Sequence, residues 1–561
     1  MKKPGVFGTL DPFLETGPVL GRKVANTGFL RFLLQADPFE SYHFFLSDKP
    51  LRDSLSGILA SLAPDIAARG GFVLMDRREL PARLATTDYA CFHQSDCIIN
   101  PTHIARLRNA YAPRLFPVTG PIHSLSYPDY PAAFLRHLWA GATPQDCIIA
   151  TSRAGQNAVE AFFAHLRQAY QLASAPGPSL RRIPLGIDPE AASAPLPTPT
   201  AKRDLRRSLG LPDDRALILV LGRISHSSKM DVVPLIRAMA RLFDEGVPRD
   251  SATLVLAGWA EEDDDFPQSL AGLGAKVGLD VRLELRPGER RKNDLLSACD
   301  LFLSIADNPQ ETFGLTLLEA QAAGLAVIAS DYDGYRDLIE HEGTGLLVPT
   351  LGPDVPGPDE QRPDDLVDQL APLLFDNQYH LLLAQRTAVD ATGLADALRR
   401  LLADPALRQR MGAAGRQRVR DRFLWTQVVD RHLELWDELA ALPGPDIATL
   451  RHVPHPLHLP YARVFASYPT RTLAPGMRLH AGRSGQALLS GKEHPLLYAG
   501  LDQLLDPDTI RKTVFLARNG ETAVRLTERL LELCPGLSRD RAAFHILWAV
   551  KHDLLQTAEE A

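Results

Sequence analysis

Between residues 5 and 350, short apolar runs alternate with longer stretches of helical periodicity, and few folds accept that pattern. Runs such as YHFFLS (42–47), YACFH (89–93), ALILVLG (216–222) and ATLVLAG (252–258) are apolar at nearly every position. A strand with one wet face would alternate, so these are strands covered on both faces. Covered strands separated by helices belong to parallel, doubly wound sheets. The alternation pauses once: after RRIPLGID (181–188) comes PEAASAPLPTPTA, a linker rich in Pro, Ala and Ser, and the pattern restarts at residue 216. At 561 residues the chain also exceeds what one hydrophobic core supports. The expected fold class is α/β, with two Rossmann-like parallel-sheet domains in tandem.

Residues 1–195 form the first expected domain and 196–442 the second, the latter interrupted by a Pro/Asp-rich loop, LGPDVPGPDEQRPDD, at 351–365. From Pro443 the chain becomes Pro-rich and His-containing, a connector to residue 475, and 476–561 reads as a small, mainly helical accessory domain. That tail contains SRDRAAFHILWAVKHDLLQ, which could pass for a winged-helix element. Over 446–561, however, 14 Lys/Arg face 12 Asp/Glu, and the whole chain carries a net charge of −7. This balance gives no footprint for nucleic acid; a protein partner or self-association through 476–561 is the open alternative. Five scattered cysteines without a CxxC pair point to a reducing compartment and to neither a disulfide framework nor a zinc site. Pro4, Gly5, Asp11 and Pro12 break any leader-like apolar stretch, and no apolar run reaches the ~18–20 residues of a membrane span. The expectation is a cytoplasmic chain, with a peripheral position at the inner membrane face left open.

The stretch DNPQETFGLTLLEAQAAG (307–324) carries the clearest chemistry. It follows the strand DLFLSIAD and opens a helix that Gly324 closes. In an open parallel sheet, ligands bind beyond the carboxyl ends of strands, where free N–H groups and the helix dipole favour phosphate. Gly314 lets backbone approach such a group without a Cβ. Glu311 and Glu319 are eight residues apart, ~12 Å if the run is fully helical. They are spaced to hold the two ends of a ligand whose diphosphate lies between. A nucleotide-sugar has that layout, and an ionised carboxylate is an apt acceptor for its hydroxyls. A second segment, LVLGRISHSSKM, ends a strand at Gly222 and supplies Arg223 and Lys229. Two cations there suit a diphosphate, Arg in bidentate fashion and Lys as a point charge.

The acid pair with FG after its first member, continued by AAGLAVIASDYDGYRDLIEHEGTGLLVP, closely resembles the family 4 retaining glycosyltransferases of GT-B fold, the group 1 glycosyltransferases. The likeness covers about residues 1–440 and is strongest from 216 to 350. It implies two Rossmann-like domains facing a cleft, with the nucleotide-sugar on the second and the acceptor on the first. By the resemblance, Glu311, Arg223, Lys229 and His123 (in FPVTGPIHSLSYPDY) carry catalysis. Gly21, Gly222, Phe313, Gly314, Leu315 and Glu319 bind the donor, Gly21 standing with Gly17 in the loop ETGPVLGRKVANTG. Met230 replaces the glycine that the family usually sets after the Lys. The implied reaction moves a sugar, a hexose, from a nucleoside-diphosphate sugar to an acceptor hydroxyl with retention. The acceptor class stays open among saccharides, lipid-linked saccharides and other hydroxyl compounds. No cofactor and no metal is expected. The acidic run around Asp263, Asp264 and Asp265 reads as a solvated loop, and no general base stands out in the first half.

Two rival readings remain at this stage. A sugar-nucleotide epimerase on the same scaffold would act without any acceptor, and a phosphorylase would need a pyridoxal-phosphate lysine that is not evident. A non-catalytic GT-B-like interaction protein would have little reason to carry both glutamates and both cations. His455, His458 and His480 have no acid or Cys at ligand spacing and read as surface or packing residues.

Overall fold

The computed structural model describes residues 3–14, 21–261, 264–355, 366–502 and 504–558. The chain forms two compact units, Met1–Pro456 and Leu457–Ala561. In the first unit, β1 (Lys3–Thr9), β2 (Phe39–Phe45), β3 (Phe72–Met75), β4 (Tyr89–His93), β5 (Val118–Pro121), β6 (Asp146–Ala150) and β7 (Ser179–Arg182) build one sheet in the order β3-β2-β1-β4-β5-β6-β7. A second sheet joins β8 (Ala216–Leu221), β9 (Ala252–Gly258), β10 (Asp280–Leu285), β11 (Leu301–Ser304), β12 (Ala326–Ser330) and β13 (Gly345–Val348) in the order β10-β9-β8-β11-β12-β13. Neighbouring strands run parallel in both. A short antiparallel pair, β14 (Thr350–Leu351) with β15 (Ala388–Val389), lies outside them. The two Rossmann-like halves are therefore as the sequence led one to expect.

The side chains of β8 show why such strands are apolar throughout. Ile218 and Val220 pack into one core, while Leu217, Leu219 and Leu221 pack into another on the opposite face. Successive residues point to opposite faces, and both faces are covered. Strand order reverses between β1 and β4, and again between β8 and β11. At such a reversal the connections leave in opposite directions and open a crevice at the strands' carboxyl ends.

Four helices of this unit bear on the site: α1 (Gly21–Ala36), α2 (Glu289–Ala298), α3 (Leu315–Ala322) and α4 (Trp425–Ala441). The expected domain 196–442 needs correction at its end. Helix α4 does not pack on the second sheet; Trp425, Val428, Val429, Trp436 and Leu439 join Phe7, Phe29 and Phe39 in the core of the first. The Trp436 indole N–H donates to Thr119 Oγ1 at 3.0 Å. Gly28 and Gly186 make room for the Trp425 ring, which an added Cβ would meet at 2.5 and 2.7 Å. An apolar stripe in the sequence marks a buried helix face but not the core that receives it.

In the second unit, β16 (Arg478–Ala481), β17 (Glu521–Thr522) and β18 (Leu555–Thr557) form an antiparallel sheet, with β16 in the middle. Helices α5 (Pro507–Ala517), α6 (Ala523–Leu533) and α7 (Arg539–Lys551) share a core that includes Ile510, Val514, Leu526, Leu530 and Ile546. The region is mainly helical, as expected. Its small sheet escaped notice because strands of two to four residues are too short to show a period.

Trp436→Ala removes a buried indole from the first core together with its hydrogen bond to Thr119. The expected cost is about 3–5 kcal/mol, read as a lower urea midpoint for the full chain.

Candidate active site

The β8/β11 reversal gathers the predicted residues. Gly222 follows β8 at φ 153° and Gly258 ends β9 at φ 151°, positive values that residues other than glycine rarely adopt. A Cβ on Gly258 would lie 1.6 Å from the Gly222 carbonyl oxygen, so these strand ends cross in direct backbone contact. A Cβ on Gly222 would meet the Lys229 stem at 3.3 Å. Gly222 thus acts by letting the Lys229 chain lie along the backbone. The intervening loop is tied by Lys229 N–H and Met230 N–H to the Ser225 carbonyl at 3.1 and 3.2 Å. Arg223, half-buried, donates from Nη2 to the Ser228 carbonyl at 3.1 Å.

Lys229 reaches across to Glu311, and the two side chains form an ion pair only 13% and 15% exposed. Burial opposes the charge on Lys229, but Glu311 and the Tyr335 hydroxyl more than offset it and hold the ammonium above its ordinary pKa. Burial equally opposes the Glu311 carboxylate. Lys229 and the backbone N–H groups of Phe313 and Thr312 nevertheless hold it below the ordinary value. Tyr335 fixes the other side: its hydroxyl lies 2.7 Å from Ser304 Oγ and 3.4 Å from Glu311 Oε2. Sequence reading missed Tyr335, which is fully buried beneath the site.

Helix α3 begins later than expected, at Leu315, with Gly314 in the left-handed region at φ 106°. A Cβ there would strike the Tyr335 ring at 2.6 Å, so glycine is required twice over. Glu311 therefore sits in the loop and Glu319 is the fifth helical residue, so the run between the two acids is helical only over its second half. Phe313 is buried, and its N–H donates to Glu311 Oε1 at 3.3 Å. Leu315 packs at the edge of the same core. At the helix start the Thr316 hydroxyl is buried with no hydrogen-bond partner. Glu319 has a specific partner: Lys292 of α2 donates to it at 2.9 Å. Lys292 belongs to the segment LRPGERRKND, where nothing in the spacing links it to Glu319.

The first domain meets this site through the loop after β5. Ser124 Oγ donates to the Gln310 carbonyl at 3.0 Å. The Gln310 amide donates to His380 Nδ1 at 2.8 Å, and His380 Nε2 lies 2.7 Å from Ser126 Oγ. His123 precedes Ser124 and Glu311 follows Gln310, so this bond joins the loop that carries each residue. His123 Nε2 donates to the Ser95 carbonyl at 2.7 Å. In the first domain's own reversal, Gly21 opens α1, and an added Cβ there would meet nothing within 4 Å. Gly17 and Asp263 lie outside the described residues.

Comparison with known proteins bears on this geometry. Residues 201–354 match the family model of the glycosyl transferases group 1. A further model, glycosyl transferase-like, matches 364–434. Among curated relatives, D-inositol 3-phosphate glycosyltransferase of Saccharomonospora viridis is 27% identical over 282 residues, covering 49% of this chain and 54% of the relative. The protein of the same description from Stackebrandtia nassauensis is 36% identical over 170 residues, 29% of this chain and 36% of the relative. The chain thus spans about half or less of the length of these relatives. A solved glycosyltransferase from Rickettsia africae ESF-5 aligns with TM-score 0.50 at 13% identity, covering 79% of this chain and 100% of that one. That likeness is one of fold, the GT-B arrangement.

Within the matched segment 201–354, Met230 is buried and packs with Ile224, Val232 and Leu235, so the departure from glycine is absorbed by the core. Two carboxyls beside the site were not anticipated. Asp333 has φ 47° and an Oδ2 that is buried without a partner; burial and nearby Glu311 push its carboxyl well above the ordinary range. Its neighbour Gly334 is needed for close approach, because a Cβ would lie 2.5 Å from the Thr312 carbonyl. Asp307 accepts from Asp231 N–H at 3.2 Å through Oδ2, while Oδ1 is buried without a partner. In the first domain, Asp11 follows β1 and accepts from Ser95 N–H and the Asn100 amide at 2.8 and 3.0 Å, which fixes it as a loop clamp.

Burial pushes the Asp307 carboxyl up to about 7. Above the unfolded value near ~4 the folded chain keeps a proton that the unfolded chain releases, so this group costs stability as pH rises from about 4 to 7. Asp307→Asn abolishes that loss. Relative to the variant, the native chain should lose on the order of 4 kcal/mol across that window, measured by urea unfolding at both ends of it. An unchanged difference would place Asp307 in a wetter setting.

Proposed function

We propose that the chain is a family 4 retaining glycosyltransferase that moves a hexose from a nucleoside-diphosphate sugar to an acceptor hydroxyl without a metal. One observation carries this reading: the buried Lys229–Glu311 pair, Arg223 and the start of α3 converge at the β8/β11 reversal. As the bond from the anomeric carbon to the diphosphate breaks, negative charge grows on the departing oxygen. An ammonium carries three donors, of which Glu311 takes one, and a guanidinium carries five. Lys229 and Arg223 therefore keep donors for that charge in a site already shielded from water, where such stabilisation is strongest. The Thr316 hydroxyl and the helix start add donors for the diphosphate. Glu311 then faces the transferred sugar, and Glu319, held by Lys292, faces the ribose.

His123 commits its Nε2–H to the Ser95 carbonyl, which argues for orientation rather than proton removal by that nitrogen. The route that fits is one in which the acceptor oxygen bonds to the anomeric carbon on the face the phosphate leaves. The acceptor proton passes to a phosphate oxygen, so retention follows without a protein base.

Melting of the full chain in UDP, GDP, ADP and CDP should rise with at least one of them, and transfer or donor hydrolysis should survive EDTA. Activity that chelation abolishes and Mg²⁺ restores would defeat the metal-free route. Removing one partner of a buried ion pair costs about 3–5 kcal/mol, so Glu311→Ala confounds folding with catalysis; Glu311→Gln is the better probe.

Glu311→Gln should bind the bare diphosphate nearly as well as the native chain and lose about 100-fold or more in turnover. Glu319→Gln should instead weaken diphosphate binding by ~1–3 kcal/mol. Calorimetry beside steady-state rates separates them. Equal losses of diphosphate affinity would make the pair structural.

A further inference from the structure

A segment of the second unit gathers exposed aromatic and aliphatic side chains. Every residue from 456 to 472 is exposed, including Leu457, Leu459, Tyr461, Val464, Phe465 and Tyr468. Tyr461 and Tyr468 are 64% and 80% exposed, the level of a side chain with almost no protein around it. The rings cluster with one another instead: Tyr461 stacks on Phe465 at 5.9 Å with planes 2° apart, and Phe465 meets Tyr468 at 4.8 Å.

The charge around them is one-sided. No Asp or Glu occurs from residue 457 to residue 492, although the whole chain is net negative. That stretch carries Arg463, Arg471, Arg478, Arg483 and Lys492, all exposed. Among the described residues none of these five is paired with a carboxylate. Elsewhere on the surface Arg399, Arg400 and Arg418 each hold one.

We propose that residues 457–471, with the cations that follow, dock the protein onto an anionic lipid bilayer. Aromatic tips among unpaired cations match the boundary between headgroups and acyl chains, where rings sit at headgroup depth and Arg and Lys meet lipid phosphate. A protein partner needs a shaped and largely continuous counter-surface. Here Pro456, Pro460, Pro469 and Pro475 punctuate the backbone, and the one helix of the segment, Tyr461–Val464, is a single turn with all its residues exposed. A bilayer accepts such scattered anchors because it deforms to fit them. None of this involves the cleft, and the inference does not depend on the glycosyl-transfer reading.

The full chain should sediment with vesicles of phosphatidylglycerol and phosphatidylcholine mixed one to two, and much less with phosphatidylcholine alone. At about 1 M salt, where screening acts within ~3 Å, the difference should largely vanish. The triple variant Tyr461→Ser, Phe465→Ser, Tyr468→Ser should bind at least tenfold more weakly at an unchanged melting temperature, since the rings support no core. The double variant Arg463→Glu, Arg471→Glu should lose the preference for anionic vesicles. Binding to neither vesicle, equal binding to both, or variants that bind like the native chain would overturn the proposal. So would a concentration-dependent dimer that the triple variant dissolves, because the segment would then serve a second copy of the chain.

Discussion

The ion pair between Lys229 and Glu311 is the interaction on which the site is organised. It joins the loop after β8 to the loop after β11 across a strand reversal, with both side chains largely withdrawn from water. Withdrawing two opposite charges together is tolerable only if each finds the other and further hydrogen bonds complete the shell. Tyr335, anchored by Ser304, and the N–H groups at the head of α3 provide that shell. A pair so enclosed keeps Lys229 protonated and Glu311 ionised, and it holds both at the crevice where a ligand of this fold would lie.

Close backbone contact makes the enclosure geometrically available. Gly222 and Gly258 touch at the strand ends, Gly314 turns under the Tyr335 ring, and Gly334 lies against the Thr312 carbonyl. Each contact draws one loop nearer the next by the width of a side chain. The cost falls on polar groups that lose water without gaining a partner, as at Asp307, Thr316 and Asp333. Unsatisfied groups of this kind concentrate at working sites, where a bound molecule can complete them.

Much of this was legible beforehand, and particular residues show why. The continuous apolar runs could only be doubly covered strands, so the two parallel sheets followed from period alone. Glu311, Arg223, Lys229 and Gly314 lie in short segments at strand ends, where local order of strand, loop and helix already gives each residue its place. Lys292 and Tyr335 were not readable in that way. Their partners lie 27 and 24 residues distant, and a lysine among GERRKND looks the same whether it meets solvent or Glu319. Helix α4 misled for a related reason, since its stripe of Trp425, Val428, Trp436 and Leu439 fits either core equally well.

The sequence by itself determined the class of fold, the two strand reversals' worth of alternating elements, and the residue types available at each strand end. These are local properties, set by side-chain period, by turn-forming residues and by chemistry within a dozen positions. Only the tertiary structure decided which charges meet, which core receives α4, and that the Ser124–Gln310 bond joins the first domain to the loop that carries Glu311. Those outcomes depend on contacts between segments far apart in the chain. Such contacts are selected by shape and by the need to satisfy every buried charge at once, and no local pattern encodes that sum.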